Sequence, residues 1–203
     1  ITCYPDQDGV YRRPQFVIRA GERMVPNLAL RVACDLLRVD PSRMVVRAGD
    51  CVVLPGAVRP DGETRDLAIP IDGQGAVILN FAGLWGSTFP RYSLHRVLEA
   101  ERDETVLDAL KTELRDSVVI LSDISTRAQD IGAVPLEKVY PESGLHANLL
   151  NMILTDRFLV EWRGARKAAW HAVCLALACL LAWRSKAVGF SLGMLGLLAG
   201  GAG

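Results

Sequence analysis

Apolar and polar positions follow two different rhythms along the first 160 residues of the chain. Over residues 26–37 and again over 144–156, apolar side chains recur every three to four positions, which predicts amphipathic helices. Over residues 43–79 the pattern changes to short β-prone runs separated by Gly and Pro turns, which favours hairpins. Two shorter helices are predicted, one that begins at Ser93 and one that begins at Asp103 or Glu104. This order predicts an α/β domain in which helices flank a mixed sheet.

A compact apolar run occupies residues 118–121, between Asp116 and Asp123. A short run without polar positions is typical of a strand that is buried on both faces. Because α/β sheets present ligand-binding groups after such strands, Asp123 becomes a candidate contact residue. The alternative interpretation is that Ser122 and Asp123 only form a turn or a cap.

The predicted helix 144–156 carries two stripes of opposite character. Its apolar stripe, which we expect to face the core, consists of His146, Leu149, Leu150, Ile153 and Leu154. A hydrogen-bonded structural role is the expected one for His146. The polar stripe contains Asn148, Asn151 and Thr155. Position alone, at a strand end and a helix start, makes a small set of residues candidates for ligand or partner contacts: Asp123, Asp130, Asn148 and Asn151.

The end of the chain has a different composition from the rest. After Glu161 the remaining 42 residues contain no acidic side chain and few basic ones. We interpret residues 168–183 as a transmembrane helix, because 16 almost uniformly apolar residues nearly span a bilayer and flanking basic and Trp side chains can anchor them. The full predicted division is a domain at 1–160, a juxtamembrane connector at 161–167, the membrane helix at 168–183, a basic cytoplasmic turn at 184–186 and a truncated second membrane helix at 187–203. The alternative is that both apolar runs are core helices of a soluble domain.

Overall charge and known motifs exclude several function classes. The 23 basic residues balance the 23 acidic ones, so no nucleic-acid partner is expected. The sequence has no phosphate-binding loop, nucleophile elbow, zinc-protease motif or calcium-binding loop, and we assign no catalytic residue, metal or cofactor. The five cysteines leave two possibilities open, which are free thiols or a disulfide among Cys3, Cys34 and Cys51.

Several segments together resemble a known family. They are Ser-Val-Val-Ile-Leu at 117–121, Asp130, Val-Pro-Leu at 134–136, Gly-Leu-His-Ala-Asn-Leu-Leu-Asn at 144–151 and Leu-Thr-Asp-Arg-Phe-Leu at 154–159. This succession resembles the C-terminal part of CHASE2 domains, and its structural motif residues here are Gly144, His146, Ala147 and Phe158. The sequence departs from the family pattern at Ser122, Asp123 and Val134.

The resemblance implies an extracytoplasmic sensory input module of a bacterial signalling receptor in the inner (cell) membrane. Such a module passes a stimulus, small-molecule or physical, through membrane helices to a nucleotide cyclase such as an adenylate cyclase, a histidine kinase or a Ser/Thr kinase. It also implies that the N-terminal half of the sensor and its first membrane helix precede this chain, which we interpret as an internal piece of a longer polypeptide. The expected partners are the membrane and a second copy of the chain in a homodimer.

Two other function classes are weighed against this one. A membrane-anchored periplasmic α/β enzyme would need a nucleophile, a base and an orienting group that converge near Asp123, Asp130 and His146. A structural or assembly protein would use the domain only to dimerise. Membrane topology gives partial support to the sensor: Arg184 and Lys186 would face the cytoplasm, whereas Arg163, Arg166 and Lys167 would lie on the outer side.

Overall fold

The computed structural model describes residues 4–124, 131–161 and 164–184. The chain divides into two compact units, Ile1–Leu159 and Val160–Gly203. The first unit contains strands and helices, and the second contains the long apolar helix. The predicted α/β class is confirmed.

The strands described in the first unit form three small antiparallel sheets. They are β1 (Val17–Ala20) with β2 (Arg23–Pro26), then β3 (Val45–Arg47), β4 (Cys51–Val58) and β5 (Thr64–Pro70) in that spatial order, and β6 (Ile131–Gly132) with β7 (Tyr140–Pro141). The predicted hairpins are confirmed over 45–70, whereas the further strand expected from Ala76 is reduced to an isolated bridge at Ala76. A register shift at Pro55 and Gly56 bends β4, and Gly56 supplies the positive φ of 63° that this bulge requires.

Five helices accompany these strands in the described part of the first unit. They are α1 (Leu28–Leu36), α2 (Trp85–Thr88), α3 (Leu94–Glu99), α4 (Glu104–Glu113) and α5 (Glu142–Thr155). Asn27, Ser93 and Asp103 cap the starts of α1, α3 and α4 by accepting a backbone N–H bond within the first turn. The caps at Ser93 and Asp103 explain why α3 and α4 begin where the sequence pattern predicts, whereas α1 begins later than predicted, because Pro26 belongs to β2.

The core lies between α1, α5 and one face of the three-stranded sheet. Alternate side chains of β4 and β5 point inward, and α1 packs directly on α5. The largest fully buried side chains are Phe16, Leu30, Leu37, Leu54, Leu67, Ile69, Tyr140, Leu145, Leu149, Met152 and Ile153. Burial of these apolar surfaces is the main stabilising contribution to the fold.

Residues 118–121 differ from the prediction. We expected a strand buried on both faces, but these residues are exposed and pair with no strand in the part of the chain that the structure describes. A strand loses water on both faces only when neighbouring strands and covering layers surround it. None of the sheets described here supplies those neighbours.

The second unit contains α6 (Ala165–Arg184), a helix of 20 residues. At 1.5 Å per residue such a helix is about 30 Å long, which matches the hydrocarbon thickness of a bilayer. It is the one helix, among the residues described, that is long and apolar enough to cross a membrane. The predicted second membrane segment, 187–203, lies outside the described residues.

Candidate functional site

Helix α5 is the element that links the domain to the apolar tail, and it is buried around most of its circumference. The predicted core positions His146, Leu149, Leu150 and Ile153 are all buried, as expected. Leu145 and Met152, on other sides of the helix, are buried too. A helix that is apolar on nearly all sides is surrounded by the rest of its domain. Helix α5 is therefore in contact with the rest of its domain on nearly every side.

Asn148 lies at the centre of this helix and is fully buried. Its side-chain oxygen accepts the backbone N–H of Ala82 at 2.8 Å, and its amide nitrogen donates to the Tyr140 hydroxyl at 2.6 Å and to the Gly144 carbonyl at 2.8 Å. The expectation of an outward-facing polar stripe is wrong for Asn148. The reason is that its amide joins α5 to the segment around Ala82, and a buried amide is stable only when it is bonded in this way.

The Tyr140 ring packs into an aromatic cluster beside α5. Phe81 and Trp85 meet this ring edge-on, each at 5.7 Å between centroids. Burial raises the pKa of Tyr140, while the hydrogen bond from Asn148 opposes that rise. Gly144 approaches the same ring so closely that a Cβ there would lie 2.5 Å from Tyr140 Cε1. A glycine is therefore required at the first turn of α5 by packing.

His146 is buried without a hydrogen-bond partner at either ring nitrogen. Burial lowers its pKa, since the charged imidazolium loses its hydration, whereas the carboxylate of Glu142 partly opposes the shift. The Oγ of Ser143 is likewise buried and unpartnered. The expected burial of His146 is confirmed, but the expected hydrogen bond is not formed. The imidazole is held neutral by its surroundings.

The C-terminal end of α5 is held by an ion pair and by backbone contacts. Asp156 ends the helix in the left-handed conformation, with φ of 57°. Arg59, at the end of β4 and only 4% exposed, places Nη2 at 2.7 Å from the Asp156 carboxylate. Asn80 donates to the Arg157 carbonyl at 3.2 Å, and Phe158 packs against the core. The chain therefore leaves the domain toward α6 from a fixed point.

The four residues proposed for ligand or partner contact do not form one cluster among the described residues. Asp123 is exposed and follows the exposed segment 118–121. Asn151 is half-buried, and its carbonyl accepts the Thr155 hydroxyl at 2.7 Å. Asn148 bonds within the core, and Asp130 lies outside the described residues. Their role in contacting a ligand stays a prediction.

The arrangement offers little for metal or covalent chemistry. Among the residues described, no group of three His, Cys, Asp or Glu side chains could hold a metal ion. Cys34 is a buried free thiol whose pKa is raised by burial, and Cys51 is a half-buried free thiol. Cys3 lies outside the described residues. The enzyme alternative required a nucleophile, a base and an orienting group near Asp123, Asp130 and His146; the ring nitrogens of His146 have no hydrogen-bond partner among the described residues, and Asp130 lies outside them.

Sequence reasoning missed the residues that hold the two ends of α5. Tyr140 and Arg59 were not singled out, because neither belongs to a motif and each acts through a partner distant in sequence, Asn148 and Asp156. One signal existed for Arg59, which is a charged residue directly after the apolar strand β4. Such a position predicts a paired charge but does not identify the partner.

Comparison with known proteins identifies the family. The model of the CHASE2 domain matches residues 1–183, most of the chain. No curated protein and no solved structure matches. The matched range contains both α5 with its His-Ala-Asn sequence and nearly all of α6. The chain belongs to the CHASE2 family, whose domains are extracytoplasmic, non-catalytic sensory domains of signalling receptors.

Proposed function

We propose that this chain senses a stimulus outside the cytoplasm and passes it through α6, across the inner (cell) membrane, to an output domain of the same receptor. That output is a nucleotide cyclase, a histidine kinase or a Ser/Thr kinase. The stimulus is a small molecule or a physical change. The observation that carries the proposal is that α5, at the centre of the domain core, is followed closely in sequence by an apolar helix of membrane length.

Only nine residues separate the end of α5 from the start of α6. The α5 end is fixed by the Arg59–Asp156 ion pair and by the Asn80 bond to Arg157. A connection of nine residues is short compared with a long flexible linker, which favours passing a shift of α5 on to the membrane helix. This supports a mechanism in which a displacement of α5 is passed to the cytoplasm.

The proposed orientation places the domain outside and the end of α6 inside the cell. Arg184 at the C-terminal end of α6 then faces the cytoplasm, in agreement with the positive-inside tendency. Arg166 and Lys167 in the first turn lie on the outer side and oppose that tendency. Folded domains cross the membrane largely regardless of such charges. The basic residues at the start of α6 are therefore compatible with a domain outside the cytoplasm.

Single-cysteine labelling in intact cells tests this orientation. Glu22 lies in the exposed turn between β1 and β2, and Ser185 directly follows α6 in sequence. We expect Glu22→Cys to react with a membrane-impermeant maleimide and Ser185→Cys to react only after the cells are permeabilised. The unsubstituted chain is the control for the native cysteines. Labelling of Ser185→Cys and protection of Glu22→Cys in intact cells would contradict the proposal.

Transmission through α5 has its own test in the intact receptor. Asp156→Asn keeps a residue type that tolerates the left-handed conformation but removes the charge that Arg59 contacts. We expect the basal output of the receptor to change by about threefold or more, corresponding to about 0.7 kcal/mol or more. The matched control is Asp35→Asn, which breaks the exposed Arg31–Asp35 pair on α1. Equal outputs for both variants, at equal protein levels, would rule out the α5 end as the transmitting point.

A further inference from the structure

The first half of α5 carries two buried polar side chains that have no partner among the described residues. His146 is 5% exposed, and both of its ring nitrogens lack a hydrogen bond there. The Oγ of Ser143, three residues earlier and therefore on the same side of the helix, is buried and unpartnered in the same way. Nearly all buried polar groups in native structures are bonded, so each exception needs a reason. An imidazolium here would lose its hydration without gaining an acceptor, which keeps the ring neutral.

We propose that His146 is a proton-operated switch of α5: when the medium around the domain is acidified, His146 takes up a proton and α5 leaves its packed position. A buried charge without a counter-charge is costly, and a displacement of the helix that brings the ring to water or to a carboxylate removes that cost. The switch makes acidification a stimulus of the receptor. In that respect it rests on the proposed function, which places the domain outside the cytoplasm and passes a shift of α5 to α6.

The elements that pack on α5 bring few charges to the buried imidazole within the described part of the chain. Helix α1 and strand β7 make the main contacts of α5. Their titratable side chains are Arg31, Cys34 and Asp35 on α1 and Tyr140 on β7. Arg31 and Asp35 are exposed and pair with each other at 2.6 Å. Burial raises the pKa of Cys34 and of Tyr140, so both stay uncharged at neutral and acid pH. The charges that act on His146 are the carboxylate of Glu142 and the amino group of the first residue, with opposite signs.

Glu142 is the carboxylate toward which a protonated His146 is drawn. It lies one turn earlier on the same side of α5. While His146 is neutral, this carboxylate accepts the Tyr11 hydroxyl at 3.0 Å. The backbone N–H of Tyr11 is in turn bonded to the Ala133 carbonyl at 2.8 Å, so the bond ties the first turn of α5 to the segment around β6. An imidazolium attracts Glu142 and weakens that bond, which couples proton uptake to the position of α5.

The direction of the pH dependence follows from the two positions of the ring. In the packed position burial lowers the pKa of His146 below its ordinary value of 6.5, and Glu142 partly opposes that shift. A displaced α5 that brings the ring to water returns the pKa toward 6.5. Protons therefore bind the displaced form more tightly and populate it below pH 6.5. Each pH unit between the two pKa values changes the ratio of the two forms by up to about tenfold.

Hydrogen exchange at one backbone amide reports the position of α5. The N–H of Ala82 donates to the Asn148 side chain, so it is protected only while α5 is in place. In the full chain in lipid nanodiscs, we expect the protection of this amide, relative to an unstructured peptide at the same pH, to fall at least about fivefold between about pH 7.5 and about pH 5.5. His146→Leu, and His146→Gln as a second variant, should abolish the fall. The controls are His95→Leu and His171→Leu at the other two histidines, which should behave as the unsubstituted chain does.

Two substitutions beside His146 should move the midpoint of the transition in opposite directions. Glu142→Gln removes the negative charge that favours the imidazolium, so the midpoint should shift to lower pH. Tyr11→Phe removes the hydroxyl that Glu142 accepts and leaves the carboxylate free for His146, so the midpoint should shift to higher pH. The matched control is Glu104→Gln in the first turn of the exposed helix α4, which should leave the midpoint unchanged.

The outcomes separate the switch from the proposed function. Protection of Ala82 that does not fall, or that falls equally in both His146 variants, would overturn the switch whatever the receptor output does. Protection of the β4 amides as low as that of Ala82 at acid pH would show global unfolding and would overturn it as well. We expect the output of the intact receptor to change by about threefold or more when only the extracytoplasmic side is acidified. A fall at Ala82 that requires His146, without any change of output, would support the switch and contradict transmission through α5.

Discussion

Helices α5 and α4 have similar lengths but opposite environments. Of the 14 residues in α5 eight are buried, whereas α4 buries only Leu110 among its 10 residues. Buried bonds through Asn148 anchor α5, while α4 and the neighbouring α3 are joined by an exposed Arg96–Glu113 ion pair. Exposed ion pairs contribute little stability, so α5 contributes more to the free energy of unfolding than α4 does. The chain thus combines a buried central helix with three largely exposed parts, which are α3, α4 and residues 118–121.

Truncating one leucine in each region should show the largest difference. We expect Leu149→Ala in α5 to lower the free energy of unfolding by about 2–5 kcal/mol, because it leaves a cavity in the core. Leu98→Ala in α3 should change it by less than about 0.5 kcal/mol, since Leu98 is 57% exposed. Urea unfolding of the full chain in detergent, followed by circular dichroism, measures both. Similar losses of the free energy of unfolding for the two variants would contradict the exposure of Leu98 and of α3.

The two asparagines of α5 sharpen the contrast within one helix. Asn148→Leu leaves the Ala82 N–H, the Tyr140 hydroxyl and the Gly144 carbonyl without their partner, and we expect a loss of about 2–4 kcal/mol. Asn151→Leu should be close to neutral because that side chain is half-buried at the surface. The same unfolding measurement applies. An equal, small effect at both positions would indicate that the buried amide network does not hold α5.

Two glycines offer a smaller test of how tightly α5 is packed. A methyl group at Gly144 would overlap the Tyr140 and Trp85 rings, and we expect Gly144→Ala to cost about 1–3 kcal/mol. A methyl group at Gly86, in α2, meets no atom within 4 Å, so Gly86→Ala should be neutral or slightly stabilising. Thermal unfolding of the two variants separates them. A neutral Gly144→Ala would contradict the close approach of α5 to the aromatic cluster.

The pH dependence of stability should report the buried imidazole of His146. Its pKa is lowered from 6.5 in the folded chain, so the unfolded chain takes up a proton at a higher pH than the folded chain does. Stability is therefore fully present above about pH 6.5 and falls as the pH drops below it, by at most about 1.4 kcal/mol per pH unit.

Substitution of the two histidines checks that assignment. His146→Leu should remove this loss between pH 6.5 and 5. His95→Leu should leave it unchanged, since the side chain of His95 is 82% exposed. A wild-type chain whose stability does not fall over that range would contradict the burial of a neutral His146.

Local sequence patterns predicted where the helices lie better than they predicted which side chains are buried. The three-to-four-residue spacing in α5 and the caps at Ser93 and Asp103 predicted helices that the structure contains. Asn148 was misplaced because spacing shows which residues share a face but not whether that face meets a polar group of another segment. Residues 118–121 were misplaced for a related reason, since burial of a strand depends on neighbours that a local pattern does not contain. The Arg59–Asp156 ion pair joins residues almost 100 positions apart, so the local pattern around Arg59 could not identify its partner.

Amide hydrogen exchange of the full chain, reconstituted in lipid nanodiscs at one chain per disc, tests the contrast between the two regions most directly. Exchange rates report the local free energy of opening along the chain. We expect the amides of residues 145–154 in α5 to exchange most slowly and those of residues 118–121 to exchange at close to the rate of an unstructured peptide. Exchange at 118–121 as slow as in α5, or rapid exchange throughout α5, would contradict the contrast between a fixed central helix and an exposed segment.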